Sequence, residues 1–168
     1  HDIALLSMHI IQDFPQYFHW FHEKSITHNG ITQNNRNTLL FNHPEIDGLK
    51  TGYTSKAGYC LSTTAQKNNT RLIVITFNSQ TPKHRDTDTL SLLNYGFRFY
   101  ETALLYAQDT VITQAPVYLG VLGNTNLKIH DSYWASIPKG SRDNIELSIN
   151  IEHPLQAPLS TEIPVGEL

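Results

Sequence analysis

Three β-rich runs follow one another between Gly48 and Phe77 and constrain the fold more than any other feature of the chain. Tyr59 to Ala65 and Arg71 to Phe77 are dense in β-branched and aromatic residues and are joined by the polar Gln66 to Thr70, so they read as an antiparallel pair. Gly48 to Thr54 forms a further strand, pairing with the Tyr59 run across the turn Ser55 to Gly58. It sets a cation, a hydroxyl and a bare glycine side by side: Lys50, Thr51 and Gly52. Successive side chains of a strand take opposite faces, so Lys50 and Gly52 share one face and Thr51 the other. All three meet one ligand only where the strand borders a cleft, so the run is expected on a sheet edge. There an extended peptide adds through main-chain hydrogen bonds, and Gly52 leaves room for its approach. Such an edge suits a carboxylate and an acyl group. Taken alone, the triplet also describes an incidental surface turn.

Around these runs the pattern is mixed. From Asp2, which is expected to cap it, a helix runs up to the break at Pro15. Its apolar positions Ile3, Leu6, Ile10 and Phe14, with Leu5 and Ile11 beside them, predict a core-facing stripe. Lys24 to His28 and Ile31 to Gln33 flank Asn29-Gly30, a dipeptide suited to a tight hairpin turn. Pro82 opens a second helix with the stripe Leu90, Leu93, Phe97. From about Leu105 only short strands are expected: Val117 to Val121, Leu127 to His130, Tyr133 to Ile137 and Ile145 to Ile151. That change marks a domain boundary. The fold class is α+β: an antiparallel sheet with flanking helices over residues 1–104, then an all-β domain over 105–168.

At 168 residues the chain holds one compact domain, or part of one followed by part of another. A formal charge of −3, without a basic run, gives no electrostatic footprint for nucleic acid or anionic lipid. The longest aliphatic stretch, Leu72 to Ile75, falls far below the ~18 apolar residues of a membrane-spanning helix. With Cys60 alone, no intrachain disulfide forms. Among nine histidines only His19 and His22 have a spacing that shares a helical face, and neither a His-Glu-x-x-His nor a third ligand at a telling distance accompanies them. No metal or cofactor is expected. Tyr17, Phe18, Trp20 and Phe21 read as core packing or an interdomain contact before a stacking platform. Asp86, Asp88, Glu45 and Asp47 read as solvated acids and caps.

The stretch Asp47 to Ala65, DGLKTGYTSKAGYCLSTTA, closely resembles the third-motif strand and hairpin of the low-molecular-mass penicillin-binding proteins, the serine-type D-alanyl-D-alanine carboxypeptidases. Similarity extends in order through Asp2 to Leu6, the Asn29-Gly30 hairpin, Asn35 to Leu40, Arg71 to Ile73, Lys83 to Arg85 and Asn94 to Glu101. It then continues into Val117 to Gly120, Ile137 to Gly140 and Ala157 to Leu159, which look like the start of the family's C-terminal stalk. The resemblance implies a β-lactamase/transpeptidase-like domain in which a serine attacks the penultimate D-alanine carbonyl of a peptidoglycan stem peptide. An acyl-enzyme forms, water hydrolyses it, and β-lactams imitate the substrate. By resemblance Lys50 holds positive potential near a second-motif serine, Thr51 hydrogen-bonds the terminal carboxylate beside Gly52, and the backbone N–H of Tyr53 is an oxyanion donor. Arg85 matches the family's carboxylate-recognising arginine; without the resemblance it reads as a solvated arginine opening a helix. Tyr53 departs from members that carry histidine there.

The family's nucleophile lies N-terminal to Lys-Thr-Gly and is expected to precede His1, leaving this polypeptide inactive alone. Likewise the C-terminus is expected to interrupt a domain. Ser136-Ile-Pro-Lys139 satisfies Ser-x-x-Lys only formally, because Pro138 resists the helical turn that brings lysine back to serine. Ser148-Ile-Asn150 imitates Ser-x-Asn inside the expected Ile145 to Ile151 strand and reads as structural. The family implies a periplasmic enzyme attached to the inner membrane, with its leader and anchor outside this chain. The alternatives are a non-catalytic peptidoglycan-binding or scaffold module, and a β-lactamase of the same fold, which the stalk-like second half weakens.

Overall fold

The computed structural model describes residues 1–151, 154–161 and 163–168. The chain divides into two compact units, His1–Glu101 and Thr102–Leu168. The first begins with α1 (Asp2–Asp13), α2 (Pro15–Phe18), a 3-10 turn (His19–His22) and the hairpin β1 (Ser25–His28) and β2 (Ile31–Asn34). There follow α3 (Leu39–Asn42), β3 (Ile46–Thr54), β4 (Gly58–Lys67), β5 (Thr70–Ser79) and α4 (Pro82–Phe99). Asn29 and Gly30 take φ of 49° and 75°, the left-handed geometry expected of the hairpin turn.

The sheet order is β3–β4–β5, antiparallel throughout, so the expected edge strand is at the edge. Its core is Leu39, Leu40, Ile46, Leu61, Ala65 and Leu93, with Leu72, Val74, Leu90 and Phe97 packed against it. The α4 stripe expected from sequence therefore faces the sheet. Helix α4 starts where the Thr81 side chain accepts a hydrogen bond from the His84 N–H, with Pro82 at the first helical position, where its missing N–H costs nothing.

Helix α1 corrects the sequence expectation twice. Its N-cap is His1 rather than Asp2, and Asp2 lies in the first turn. The predicted stripe is largely exposed at Ile3, Leu5, Leu6 and Phe14. Ser7 is the buried residue of the helix, with Ala4, Met8 and two members of the expected set, Ile10 and Ile11, half-buried around it. Ser7 meets the sheet directly: its hydroxyl lies 2.8 Å from that of Ser62 on β4.

The second unit is all-β. β6 (Tyr100–Tyr106) pairs with β9 (Tyr133–Pro138). β7 (Val111–Tyr118) lies between β8 (Asn124–Lys128) and β11 (Leu155–Gln156), and β10 (Asn150–Ile151) pairs with β12 (Gly166–Glu167). Ala115, Ile137 and Leu155 are its buried apolar residues. Three strand expectations shift. The Val117 to Val121 strand stops at Tyr118, because Leu119 is left-handed and Val117 N–H closes a turn onto Gly123 O at 2.8 Å. The Leu127 to His130 strand is earlier, at Asn124–Lys128. The Ile145 to Ile151 strand reduces to Asn150–Ile151, so Ser148 is not on a strand: alternation without a neighbour to take the main-chain bonds does not make one. Ser136 and Pro138 lie on β9, away from any helical turn.

Replacing Leu61, 1% exposed at the centre of the core, by alanine is expected to lower the unfolding free energy by about 2–5 kcal/mol. Chemical denaturation of the wild type and variant measures it, and an unchanged midpoint would contradict the core assignment.

Candidate functional site

Strand β3 has β4 on one side only among the described residues, which leaves its other edge available to an added chain. The register fixes what each of its side chains faces. Thr51 pairs with Leu61, and Leu61 with Thr76, so the three form a row across one face. Thr76 Oγ1 lies 3.2 Å from Thr89 Oγ1 of α4, so this is the α4 side. Lys50 pairs with Ser62, whose hydroxyl meets Ser7 of α1, and Gly52 pairs with Cys60. Lys50 and Gly52 therefore address the α1 side. The division of faces expected from sequence is the one observed, and the edge is the place where both faces meet.

Lys50 is exposed and its ammonium donates to the Thr51 carbonyl. Thr51 is half-buried and Gly52 exposed. Tyr53, 60% exposed, lies directly opposite Tyr59, and their rings are 4.4 Å apart, a spacing at which tilted aromatic rings attract. Tyr59 was missed from sequence, although the turn Ser55 to Gly58 already sets it across from Tyr53. Below the pair, the Cys60 thiol donates to the Ala57 carbonyl at 3.3 Å.

Arg85 occupies the first turn of α4 on the buried face, one helical turn before Thr89, and therefore on the Thr51 side of the sheet. It is not a solvated arginine: the residue is 4% exposed. Its Nη2 and Nε lie 2.7 and 2.8 Å from Asp86 Oδ1. Asp86, expected as a solvated acid, pairs with it and also accepts from the Thr38 hydroxyl. None of the described hydrogen bonds of Arg85 reaches β3. Lys50, Thr51, Gly52 and Tyr53 are thus brought together by the strand itself, while Arg85 shares only their α4 side.

The entry of β3 is locked by a second arginine. Arg71 on β5 reaches across β4 to Asp47 at 2.8 Å, donates to Thr64 Oγ1 at 2.8 Å and lies over the Phe18 ring at 5.4 Å. Asp47 is therefore a structural anchor rather than a free acid. Next to it, Gly48 lies under the aromatic segment: a Cβ there would be 3.3 Å from Phe21 Cβ and 3.7 Å from the Phe18 ring. Asn37 Nδ2 donates to the Gly48 carbonyl at 3.3 Å. A side chain here would press on Phe21 and on Thr64 Cγ2 at 3.4 Å, so those neighbours would have to give by a few tenths of an ångström.

A helix-flanked antiparallel sheet with Lys-Thr-Gly on its edge strand is the arrangement of the penicillin-recognising serine enzymes. Residues 1–81 match the D-alanyl-D-alanine carboxypeptidase family of S11 peptidases, and residues 100–168 match the C-terminal domain of penicillin-binding protein 5. The chain belongs to this penicillin-binding carboxypeptidase family. It is 34% identical to D-alanyl-D-alanine carboxypeptidase DacD of Escherichia coli strain K12 over 170 residues, covering 100% of this chain and 44% of that protein. Penicillin-binding protein 5 of Haemophilus influenzae superposes with a TM-score of 0.85 at 34% identity, over 98% of this chain and 49% of its own. Penicillin-binding protein D2 of Listeria monocytogenes in its cefotaxime-bound form matches 57% of this chain and 39% of its own at 35% identity, with a TM-score of 0.54. The chain therefore spans less than half the length of these relatives.

Arg71→Ala removes charged hydrogen bonds at a half-buried position and is expected to cost about 1.5–3 kcal/mol. Thermal or chemical unfolding measures this loss, and a stability equal to wild type would show that Asp47 and Phe18 are held by other contacts.

Proposed function

We propose that the complete protein is a serine-type D-Ala-D-Ala carboxypeptidase that removes the terminal D-alanine of peptidoglycan stem peptides and is acylated by β-lactams. The observation that carries this reading is the free edge of β3, where Lys50, Thr51, Gly52 and Tyr53 stand in register beside β4. The attacking serine comes from sequence beyond the span of this chain. A stem peptide lies along β3 as an added strand, with Gly52 giving its backbone room.

In this reading Thr51 donates its hydroxyl to the terminal carboxylate and Lys50 supplies positive potential on the opposite face, beside the incoming serine. Main-chain groups alternate sides along a strand, so Thr51 and Tyr53 direct theirs to the same side. The Thr51 carbonyl is held by Lys50, which favours that side as the free edge and supports the Tyr53 N–H as an oxyanion donor. Loss of such a donor typically costs about 2.7–4 kcal/mol of transition-state stabilisation. Arg85 adds a second cation on the Thr51 side, and its pairing with Asp86 aligns the guanidinium while neutralising part of its charge. In this reading the enzyme acts in the periplasm, attached to the inner membrane.

In the full-length protein, Lys50→Ala is expected to slow acylation by a fluorescent penicillin tenfold or more. Arg85→Ala is expected to lower kcat/KM for a D-Ala-D-Ala peptide more than it lowers β-lactam acylation. Gel labelling and D-alanine release measure the two. Wild-type kinetics in both variants would remove these roles, and a full-length protein that takes no penicillin label would instead be a non-catalytic wall-binding module.

A further inference from the structure

The aromatic segment after α1 divides its rings between two tasks. Phe18 and Phe21 are half-buried and seat the segment on β3 at Gly48, as a core cluster would. Tyr17 and Trp20 do not join them: Trp20 is 62% exposed, its ring 5.0 Å from Tyr17 and 5.6 Å from His19. An indole braced by two neighbours loses little freedom on binding and offers a firm apolar face.

Trp20 borders a groove of about 750 Å³ whose other walls are Glu23 and residues 25–27 and 33–35 of the hairpin. Asn35 fixes the base of the hairpin: its N–H donates to Lys24 O at 2.7 Å, its side-chain amide to Glu23 O at 3.0 Å, and its Oδ1 accepts from Asn37 N–H at 2.9 Å. The Thr27 and Thr32 hydroxyls lie 2.9 Å apart across the two strands. Gln33 and Asn34 stand exposed on β2. The groove thus joins the rigid Trp20 face and the exposed aliphatic Ile26 to neutral amides and hydroxyls, with Glu23 its one charged wall residue. Such a lining offers no cationic side chain to a phosphate or polyanion. It fits a ligand with one apolar C–H face and a rim of hydroxyl and acetamido groups, which is the chemistry of a pyranose amino sugar.

We propose that this groove binds the glycan strand of peptidoglycan, holding the polymer while its stem peptide reaches the β3 edge. The assignment rests on the carboxypeptidase reading for the identity of the sugar. The groove and the edge share a foundation, since Gly48, on which the aromatic segment rests, is two residues before Lys50. Along a strand that separation is about 7 Å, and an extended stem of four or five residues spans about 14–17 Å. A stem of that length reaches well beyond the separation of Gly48 from Lys50.

The test uses the full-length protein and two probes: glycan strands freed of stem peptides by an amidase, and intact sacculi. Trp20→Ala is expected to lose at least fivefold in affinity for the stripped strands by co-sedimentation and to release D-alanine more slowly from sacculi. Its reaction with fluorescent penicillin and with a soluble stem peptide stays at the wild-type level, and Trp20→Phe retains most of the glycan affinity. Unchanged binding of stripped strands by Trp20→Ala overturns the proposal, as does a wild type that binds sacculi but not stripped strands. If Trp20→Ala loses penicillin reactivity through misfolding, the Gln33→Ala/Asn34→Ala double variant decides, and undiminished glycan binding there overturns the proposal equally. A wild type that retains glycan but takes no penicillin label would sink the carboxypeptidase reading and leave the groove as a sugar site.

Discussion

The antiparallel register of β3 on β4 governs the rest of the first unit. Lys50 opposite Ser62 and Thr51 opposite Leu61 decide that the ammonium looks toward α1 and the hydroxyl toward α4. A slip of β3 by one residue exchanges its two faces, which would turn Lys50 toward α4 and Thr51 away from it. Leu61, Thr63 and Ala65 are buried on one face of β4, which fixes that strand's orientation and gives β3 a fixed ladder to pair with. The Arg71–Asp47 pair and the close seating of Phe21 on Gly48 guard the same register from the strand's entry.

The fold around the proposed site was legible wherever local spacing alone decided it. The three strand runs, the Asn29-Gly30 turn, Pro82 at the head of α4 and the stripe Leu90, Leu93, Phe97 are local features, and the structure forms each of them. The edge position of Lys50 to Tyr53 followed from the requirement that both faces of a strand reach one ligand. What escaped the sequence was pairing across distance. Asp86 looked solvated because its partners, Arg85 beside it and Thr38 on a distant segment, meet only once α4 packs. Asp47 looked free for the same reason, with its partner Arg71 two strands away in the sheet.

Periodicity was least reliable where it counted apolar residues without asking how near two elements approach. In α1 most of the aliphatic stripe is exposed, and Ser7 is the buried residue that meets the sheet. In the second unit, the alternation of Ile145, Leu147 and Ile149 has no strand beside it among the described residues, and those residues form none. The aromatic cluster from Tyr17 to Phe21 was half legible: two rings pack as expected, and the other two remain in solvent.

Both helices flanking the sheet touch it through paired hydroxyls, Ser7 with Ser62 below and Thr76 with Thr89 above. Aliphatic contacts tolerate rotation and sliding, whereas a hydrogen bond is directional and holds over a few tenths of an ångström. These two latches index each helix against a particular rung of the ladder, at Ser62 beside Lys50 and at Thr76 in line with Thr51. A methyl in place of either hydroxyl would keep the volume and lose the alignment, so the sandwich would stay closed while its layers drifted past one another.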